Sequence, residues 1–281
     1  MSELVSIIIP TYNRPQVISR AVDSALAQMG EVEVIIVNDG GNIEALEEAL
    51  DKYSTIRTYH LPTNLGVSVA RNYGIEQSKG AMLLFLDDDD ELEPSFIKSA
   101  LQQFDSNTEV LIGDSELVGN SVDKHFKKVY AYNQYLSDQY QHEPTDHWGY
   151  FLQYMPPIFA MLFRRTLFDD YQFNESLNYG EDRELLLRLK HRCTMIKAPL
   201  LAGKYHFHST QSQAPLDKFI EAVSPLVDSR HAKAYVQLLS AYYWWKKGHF
   251  LKVGTAMVKS LKSPYVVVKQ FVLFLRLIML R

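Results

Sequence analysis

Three observations predict an α/β fold with a mostly parallel central sheet flanked by helices and a helical C-terminal extension. Short apolar runs alternate with helical patterns through the first hundred residues. Four consecutive aspartates, Asp87–Asp90, follow one of those runs. The last 52 residues are basic and apolar together.

The first runs are Val5–Ile9, Val32–Val37, Ile56–Leu61 and Ala81–Leu86. Each is short and apolar enough to read as a strand. Between them, Gln16–Gln28, Ile43–Tyr53 and Val67–Gln77 space their apolar residues as helices do. Strand followed by helix, repeated, predicts βαβ units. The loops Pro10-Thr-Tyr-Asn-Arg-Pro and Asn38-Asp-Gly-Gly-Asn each follow a strand and precede a helix. They belong on the same rim as Asp87–Asp90, where open α/β sheets bind ligands. Further on, Val110–Gly113, Ile158–Phe163 and Leu200–Tyr205 read as strands, and Leu185, Leu186 and Leu189 mark a buried helix face. The tyrosine-rich stretch 130–154 is consistent with a stacking surface for a sugar or with ordinary core.

At 281 residues and 47% apolar content the chain supports one large domain with an appendage, divided here as 1–215 and 216–281. Within the first part, residues up to about 115 carry the rim and residues 116–215 the facing side. A single cysteine, Cys193, excludes an internal disulfide and a thiolate metal site, and fits a reducing cytosol. The first residues lack the basic region of a signal peptide. Neither a Gly-x-Gly-x-x-Gly turn after the first strand nor a Walker-type loop is present, which argues against a dinucleotide fold and a P-loop NTPase.

Packed aspartates raise one another's pKa and need a cation or hydrogen-bond donors to stay ionised. At the end of a buried strand they suggest a divalent-metal site. The competing reading makes Asp89, Asp90, Glu91 and Glu93 the acidic start of a helix after Pro94. The same two readings apply to Glu181 and Asp182 at the start of the leucine-faced helix: favourable helix-start charge, or a general base. His206 and His208 lie on one side of an extended segment, where a metal or phosphate role competes with a structural one.

Five motifs together resemble the family 2 glycosyltransferases of GT-A fold, a Rossmann-like architecture. They are Ser6-Ile-Ile-Ile-Pro-Thr-Tyr-Asn-Arg, Val34-Ile-Ile-Val-Asn-Asp-Gly-Gly, Asn64-Leu-Gly-Val-Ser-Val-Ala-Arg-Asn, Phe85-Leu-Asp-Asp-Asp-Asp and Gly180-Glu-Asp. The resemblance spans residue 4 to about 212. It implies a nucleotide-sugar donor, Mn²⁺ or Mg²⁺, and inversion at the anomeric carbon. It implies that Pro10, Thr11 and Tyr12 border the nucleoside, with Arg14 and Asn64 from the same motifs counted among the substrate-binding residues. Asp39 is then expected on the base and Arg71 near the nucleotide. Asp87 is expected on the ribose or metal, Asp88 takes the variable middle position, and Asp89 binds the metal. Asp182 resembles the catalytic base, paired with Glu181, and His208 the histidine that approaches metal or diphosphate. Processive relatives carry Gln-x-x-Arg-Trp; Trp148, Trp244 and Trp245 do not complete it, so one sugar per encounter is expected. A nucleotidyltransferase and a non-catalytic nucleotide- or glycan-binding module are the alternatives.

From Arg230 to Arg281 there are ten Lys/Arg and no Asp or Glu, while residues 1–229 hold 19 Lys/Arg against 33 Asp/Glu. Helices are expected over Ala232–Lys247, Phe250–Leu261 and Tyr265–Leu280. The last is short and charged for a span, which favours a helix lying at an anionic membrane surface over an amphipathic helix packed on the catalytic domain or in a dimer. The expected partners are a donor, a glycan or lipid-linked acceptor, and the cytoplasmic face of the membrane, with oligomers allowed. The setting is surface polysaccharide or lipopolysaccharide synthesis. Nucleic acid is excluded by the acidic first part and the apolar tail.

Overall fold

The structure is a computed structural model and describes residues 3–119, 157–190, 192–206, 216–227 and 230–261. Its centre is β1 (Val5–Thr11), whose seven residues are all buried. Parallel neighbours flank it: β2 (Val32–Asn38) on one side, then β3 (Ile56–His60), and β4 (Met82–Phe85) on the other. The alternation of a pleated strand sends Val5, Ile7 and Ile9 to one face and Ile8 to the other. The first set packs on Ile18, Ala21, Val22 and Ala25 of α1 (Pro15–Leu26). Ile8 packs with Ala70 and Ile75 of α3 (Val67–Gln77). An Ile8→Ala change would cost about 2–5 kcal/mol at such a site. Between β2 and β3 runs α2 (Ile43–Leu50), whose start is capped by Asn42 accepting from the Ala45 N–H.

Beyond β4 the sheet continues with mixed direction, in the order β3-β2-β1-β4-β7-β6-β8-β5. β5 is the two-residue strand Glu91–Leu92, followed by α4 (Phe96–Leu101). β6 (Val110–Val118) pairs antiparallel with β7 (Met161–Arg164) and parallel with β8 (Met195–His206). The expected strand Ile158–Phe163 is shorter at its start: Ile158–Ala160 form a 3₁₀ turn right after Pro156-Pro157. Pro157 donates no ladder hydrogen bond, and its carbonyl accepts from Ala160 instead. The helix expected after Pro94 is present, and the acids before it include a short strand. Glu91 and Leu92 pair with Lys204 and Gly203 of β8, and the helix after Pro94 begins at Phe96.

α5 (Glu181–Leu189) buries Leu185, Leu186, Leu187 and Leu189. The C-terminal helices are α6 (Leu216–Val223), α7 (Arg230–Lys246) and α8 (Phe250–Ser260). Phe219, Val223, Val227, Ala232 and Val236 share one apolar cluster with the α5 leucines and with Phe85 and Phe163 of the sheet. Among the described residues no helix is long and apolar enough to cross a membrane. The tyrosine-rich 130–154 stretch and the expected helix over 265–280 lie outside the described residues.

Candidate functional site

Because β1, β2 and β4 run parallel side by side, their carboxyl ends open on one rim. Pro10 and Thr11 are buried at the end of β1, and Tyr12 emerges from it half exposed. Asn13 follows in the left-handed region at φ 53°. Asparagine tolerates that conformation, and here its Oδ1 accepts from the Asn42 N–H at 2.8 Å, tying the first rim loop to the second. The turn sends Arg14 back over the aspartates.

Each of the four aspartates has its own partners. Asp87 Oδ1 accepts from Arg71 at 2.7 Å. Asp88 accepts from the Thr11 hydroxyl at 2.6 Å and from Arg14 at 2.8 Å. The same Arg14 nitrogen also holds Asp89, whose carbonyl takes Arg20 at 2.6 Å. Asp90 is fully buried; one carboxyl oxygen accepts from the His206 N–H at 2.8 Å and the other has no hydrogen-bond partner. Asp87 and Asp89 reach solvent while Asp88 and Asp90 do not. Burial therefore pushes the Asp88 carboxyl up to about 7, against the pull of Arg14 and Thr11 and with added repulsion from Asp89 and Asp87. Burial, together with Asp87 and Asp89, pushes Asp90 well above the carboxylate range.

The second loop is held from inside. Asp39 is buried, and its two carboxylate oxygens accept from the Leu65 N–H at 2.7 Å and the Gly66 N–H at 2.9 Å. These contacts fix the Asn64–Gly66 entry to α3. Gly66 sits at φ +99°, and a Cβ there would lie 2.2 Å from Asn178 Oδ1, so only glycine allows this approach.

From that entry α3 crosses to the facing side on a buried polar stripe. Ser68 donates to the Leu177 carbonyl at 2.8 Å. Asn72 exchanges hydrogen bonds with the Phe173 backbone, at 3.0 and 2.9 Å. Arg71 lies between them, 3% exposed, donating to Glu181 at 2.6 Å and Asp87 at 2.7 Å, with its guanidinium carbon 5.3 Å from the Phe173 ring centroid. Ser68 and Asn72 were not among the residues expected at the site. Their spacing with Arg71 at i, i+3 and i+4 was the available signal.

On the facing side Gly180 starts α5 at φ +71°, its Cα packed on the Phe219 ring. Glu181 is buried on Arg71, and Asp182 is half-buried beside it. Burial and the neighbouring Glu181 push the Asp182 carboxyl up to about 6, with Arg183 and Arg71 opposing. The rim thus sets an acidic turn and a raised carboxyl on either side of one buried arginine.

Residues 6–171, more than half of the chain, match the family model described as glycosyl transferase family 2. The chain belongs to that family. An uncharacterized glycosyltransferase of Rickettsia felis is 40% identical over 121 residues, covering 41% of this chain and 20% of that protein. EpsJ of Bacillus subtilis, also an uncharacterized glycosyltransferase, is 29% identical over 65% of this chain and 54% of its own length. The matches thus span from a fifth to about half of these relatives. The solved TarS of S. aureus in complex with UDP-GlcNAc superposes with a TM-score of 0.66 at 18% identity, covering 92% of this chain and 79% of that one. The mannosyltransferase PcManGT of Pyrobaculum calidifontis, with GDP-Man and Mn²⁺, gives 0.57 at 13%, covering 96% and 88%. At such identities the likeness is one of fold, the GT-A fold.

In this family 2 member the site residues expected from the sequence fall into two sets. Thr11, Arg14, Asp88 and Asp89 form one connected network, and Arg71 joins the adjacent Asp87 to Glu181. Asp39 and Asn64 belong to the neighbouring loop contact. His208 lies outside the described residues; the His206 ring faces Glu91, with Nε2 3.5 Å from its carboxylate. Among the described residues no group of three or more His, Cys, Asp or Glu is arranged to hold a metal. Two solvent-reaching carboxylates, Asp87 and Asp89, nevertheless fit a hard ion of the Mg²⁺ kind, which commonly takes one or two carboxylates and fills its other positions with phosphate and water oxygens.

Proposed function

We propose that this chain moves one sugar from a nucleotide-sugar, most simply a UDP-sugar, to a hydroxyl of a glycan or lipid-linked acceptor, with inversion. The proposed setting is surface polysaccharide or lipopolysaccharide assembly at the cytoplasmic face of the membrane, reached through the basic C-terminal stretch. One observation carries the reading: Arg71 spans from the acidic turn to Glu181, next to a carboxyl raised to about 6. A carboxyl raised in this way beside the rim is suited to act as a general base. The neighbouring TarS and PcManGT structures hold UDP-GlcNAc and GDP-Man with Mn²⁺, respectively, which supports a nucleotide-sugar and a divalent ion here.

In this reading Asp87 and Asp89 hold Mn²⁺ or Mg²⁺. The ion, when bound, neutralises charge on the departing diphosphate. Asp182 accepts the proton of the acceptor hydroxyl as its oxygen bonds to the anomeric carbon. The bond from that carbon to the diphosphate oxygen breaks, and the nucleoside diphosphate leaves with the electron pair. Arg71 holds Asp87 and Glu181 in place, so the two sides keep their spacing. Asp39 holds the Leu65–Gly66 backbone, which positions the loop beneath the base; its direct contact with the base is the further part of the proposal.

The test is donor hydrolysis by purified protein over UDP-, dTDP- and GDP-sugars with Mn²⁺ or Mg²⁺, reading released nucleotide, beside Asp89→Ala. Ion-dependent release from one donor, lost in the variant, is expected. Absence of both release and ion-dependent nucleotide binding would overturn the reading.

A further inference from the structure

α8 is turned inside out. Its buried positions carry the small residues Ala256 and Ser260, while Phe250, Leu251, Met257, Val258 and the following Leu261 are exposed. Leu251 is 92% exposed, Phe250 71% and Val258 68%. At 3.6 residues per turn these large side chains and Gly254 fall in one sector roughly 120° wide. Lys252 and Lys259 lie together on another sector, and the small residues face the hairpin partner α7 on the third. Lys252 is braced there, its ammonium 3.8 Å from the Trp244 ring centroid. A surface helix ordinarily turns its large apolar side chains inward, and a contiguous exposed apolar face marks an interaction site.

Charge selects the occupant. Residues 230–281 hold ten Lys/Arg and no acid. A second copy meeting this face about a two-fold axis would set those cations against their own kind. Residues 262–281 likewise carry four cations and no acid, so their charge is of the same sign as that of α8. An anionic bilayer matches both properties, with acyl chains for the apolar sector and headgroups for the lysines. The acidic remainder, with 33 Asp/Glu against 19 Lys/Arg in residues 1–229, is repelled by such a surface, which leaves the helical end to meet it.

We infer that the Phe250–Leu261 face is a membrane-docking surface that lies in the headgroup boundary of an anionic phospholipid bilayer. The inference rests on the peripheral-membrane part of the proposed function and names the surface that performs it.

The test uses the full chain in co-sedimentation with vesicles of phosphatidylcholine alone and of phosphatidylcholine mixed with phosphatidylglycerol. The wild type is expected on the anionic vesicles and not on the neutral ones. Leu251→Glu/Val258→Glu is expected to lower the bound fraction by about tenfold, since it puts charge into the apolar sector of an interfacial helix. Lys259→Gln is expected to weaken binding at low salt and to leave high-salt binding unchanged. Unchanged vesicle binding by the double variant overturns the inference. If that variant also melts lower, residues 262–281 cover the face; if it loses dimer in light scattering, a second copy does. Absence of wild-type binding to any vesicle overturns it too. Donor hydrolysis by the same samples needs no membrane, so loss of activity with vesicle binding intact would sink the catalytic reading and leave this one standing.

Discussion

Arg71 and Glu181 are joined at 2.6 Å across 110 residues of sequence, and the other terminal nitrogen of that guanidinium reaches Asp87 at 2.7 Å. One buried cation therefore ties the end of β4 to the start of α5. Asp87, Glu181 and Asp182 hold it charged against the downward pull of burial. Removing the cation leaves the buried Glu181 without its partner. Arg71→Ala is expected to lose about 3–5 kcal/mol of stability, the range for breaking a buried ion pair. Arg71→Lys keeps the charge without the fork and is expected to fold while losing turnover about tenfold or more, with KM changing less. Denaturant melts and donor kinetics on both variants check this, and wild-type turnover in Arg71→Lys would show that charge alone suffices.

Asp182 gives a prediction in pH. A base must be deprotonated, so the transfer rate is expected to rise as pH climbs through about 6 and to level off above it. Asp182→Asn is expected to remove both the limb and nearly all activity. The linkage sign runs the other way. With the folded pKa above the ordinary value, the folded state binds more protons between roughly pH 4 and 6, so this group's contribution favours folding below that window and is lost as pH rises through it. Asp182→Asn should therefore lower the Tm at pH 4.5 relative to its effect at pH 7.5. Melts of both proteins at the two pH values, beside a pH–rate profile, read the two signs independently.

Much of this was legible in the residues. The strands β1, β2 and β4 are apolar through Ile7–Ile9, Val34–Val37 and Met82–Phe85 because both faces of the sheet are covered there, and burial on both faces is what such a run records. Asp87–Asp90 and Glu181–Asp182 stood out because clustered carboxylates need a reason. The strut between them was not legible, since an arginine in a helical pattern does not announce a partner 110 residues away. Nor were Asp39's partners, which are backbone N–H groups and leave no side-chain signature. β5 escaped because two residues carry no period. Its pairing depends on Gly203, where a Cβ would lie 2.0 Å from the Glu91 carbonyl oxygen. The 3₁₀ turn at Ile158–Ala160 escaped because its residues are as apolar as the strand after them.

Arg14 sits on Asp88 and Asp89, the latter a proposed ligand of the divalent ion, so guanidinium and ion compete for one carboxylate. Arg14 is partly exposed, which limits what its pairs are worth to about 1 kcal/mol. Arg14→Gln is therefore expected to bind Mn²⁺ about fivefold more tightly in the absence of nucleotide, read by the loss of free-ion signal in electron paramagnetic resonance. Weaker binding in the variant would show that Arg14 assists the ion instead.

Gly66 carries the prediction that separates loop geometry from chemistry. It joins Asp39 on one side, through its N–H at 2.9 Å, to Asn178 on the other, whose side chain occupies the space a Cβ would take. Gly66→Ala meets two penalties: the φ of +99° that alanine rarely adopts, and the contact at 2.2 Å. Backbone strain of this kind costs about 1–3 kcal/mol. Asn178→Gly removes the contact and leaves the φ penalty. The double variant should therefore recover part of the stability lost in Gly66→Ala, and the recovered part measures the steric share. If Asp39 acts by holding this loop, nucleotide affinity should follow the same partial recovery. Affinity that falls in Gly66→Ala and stays down in the double variant while stability returns would instead assign the loss to the backbone conformation at residue 66 itself.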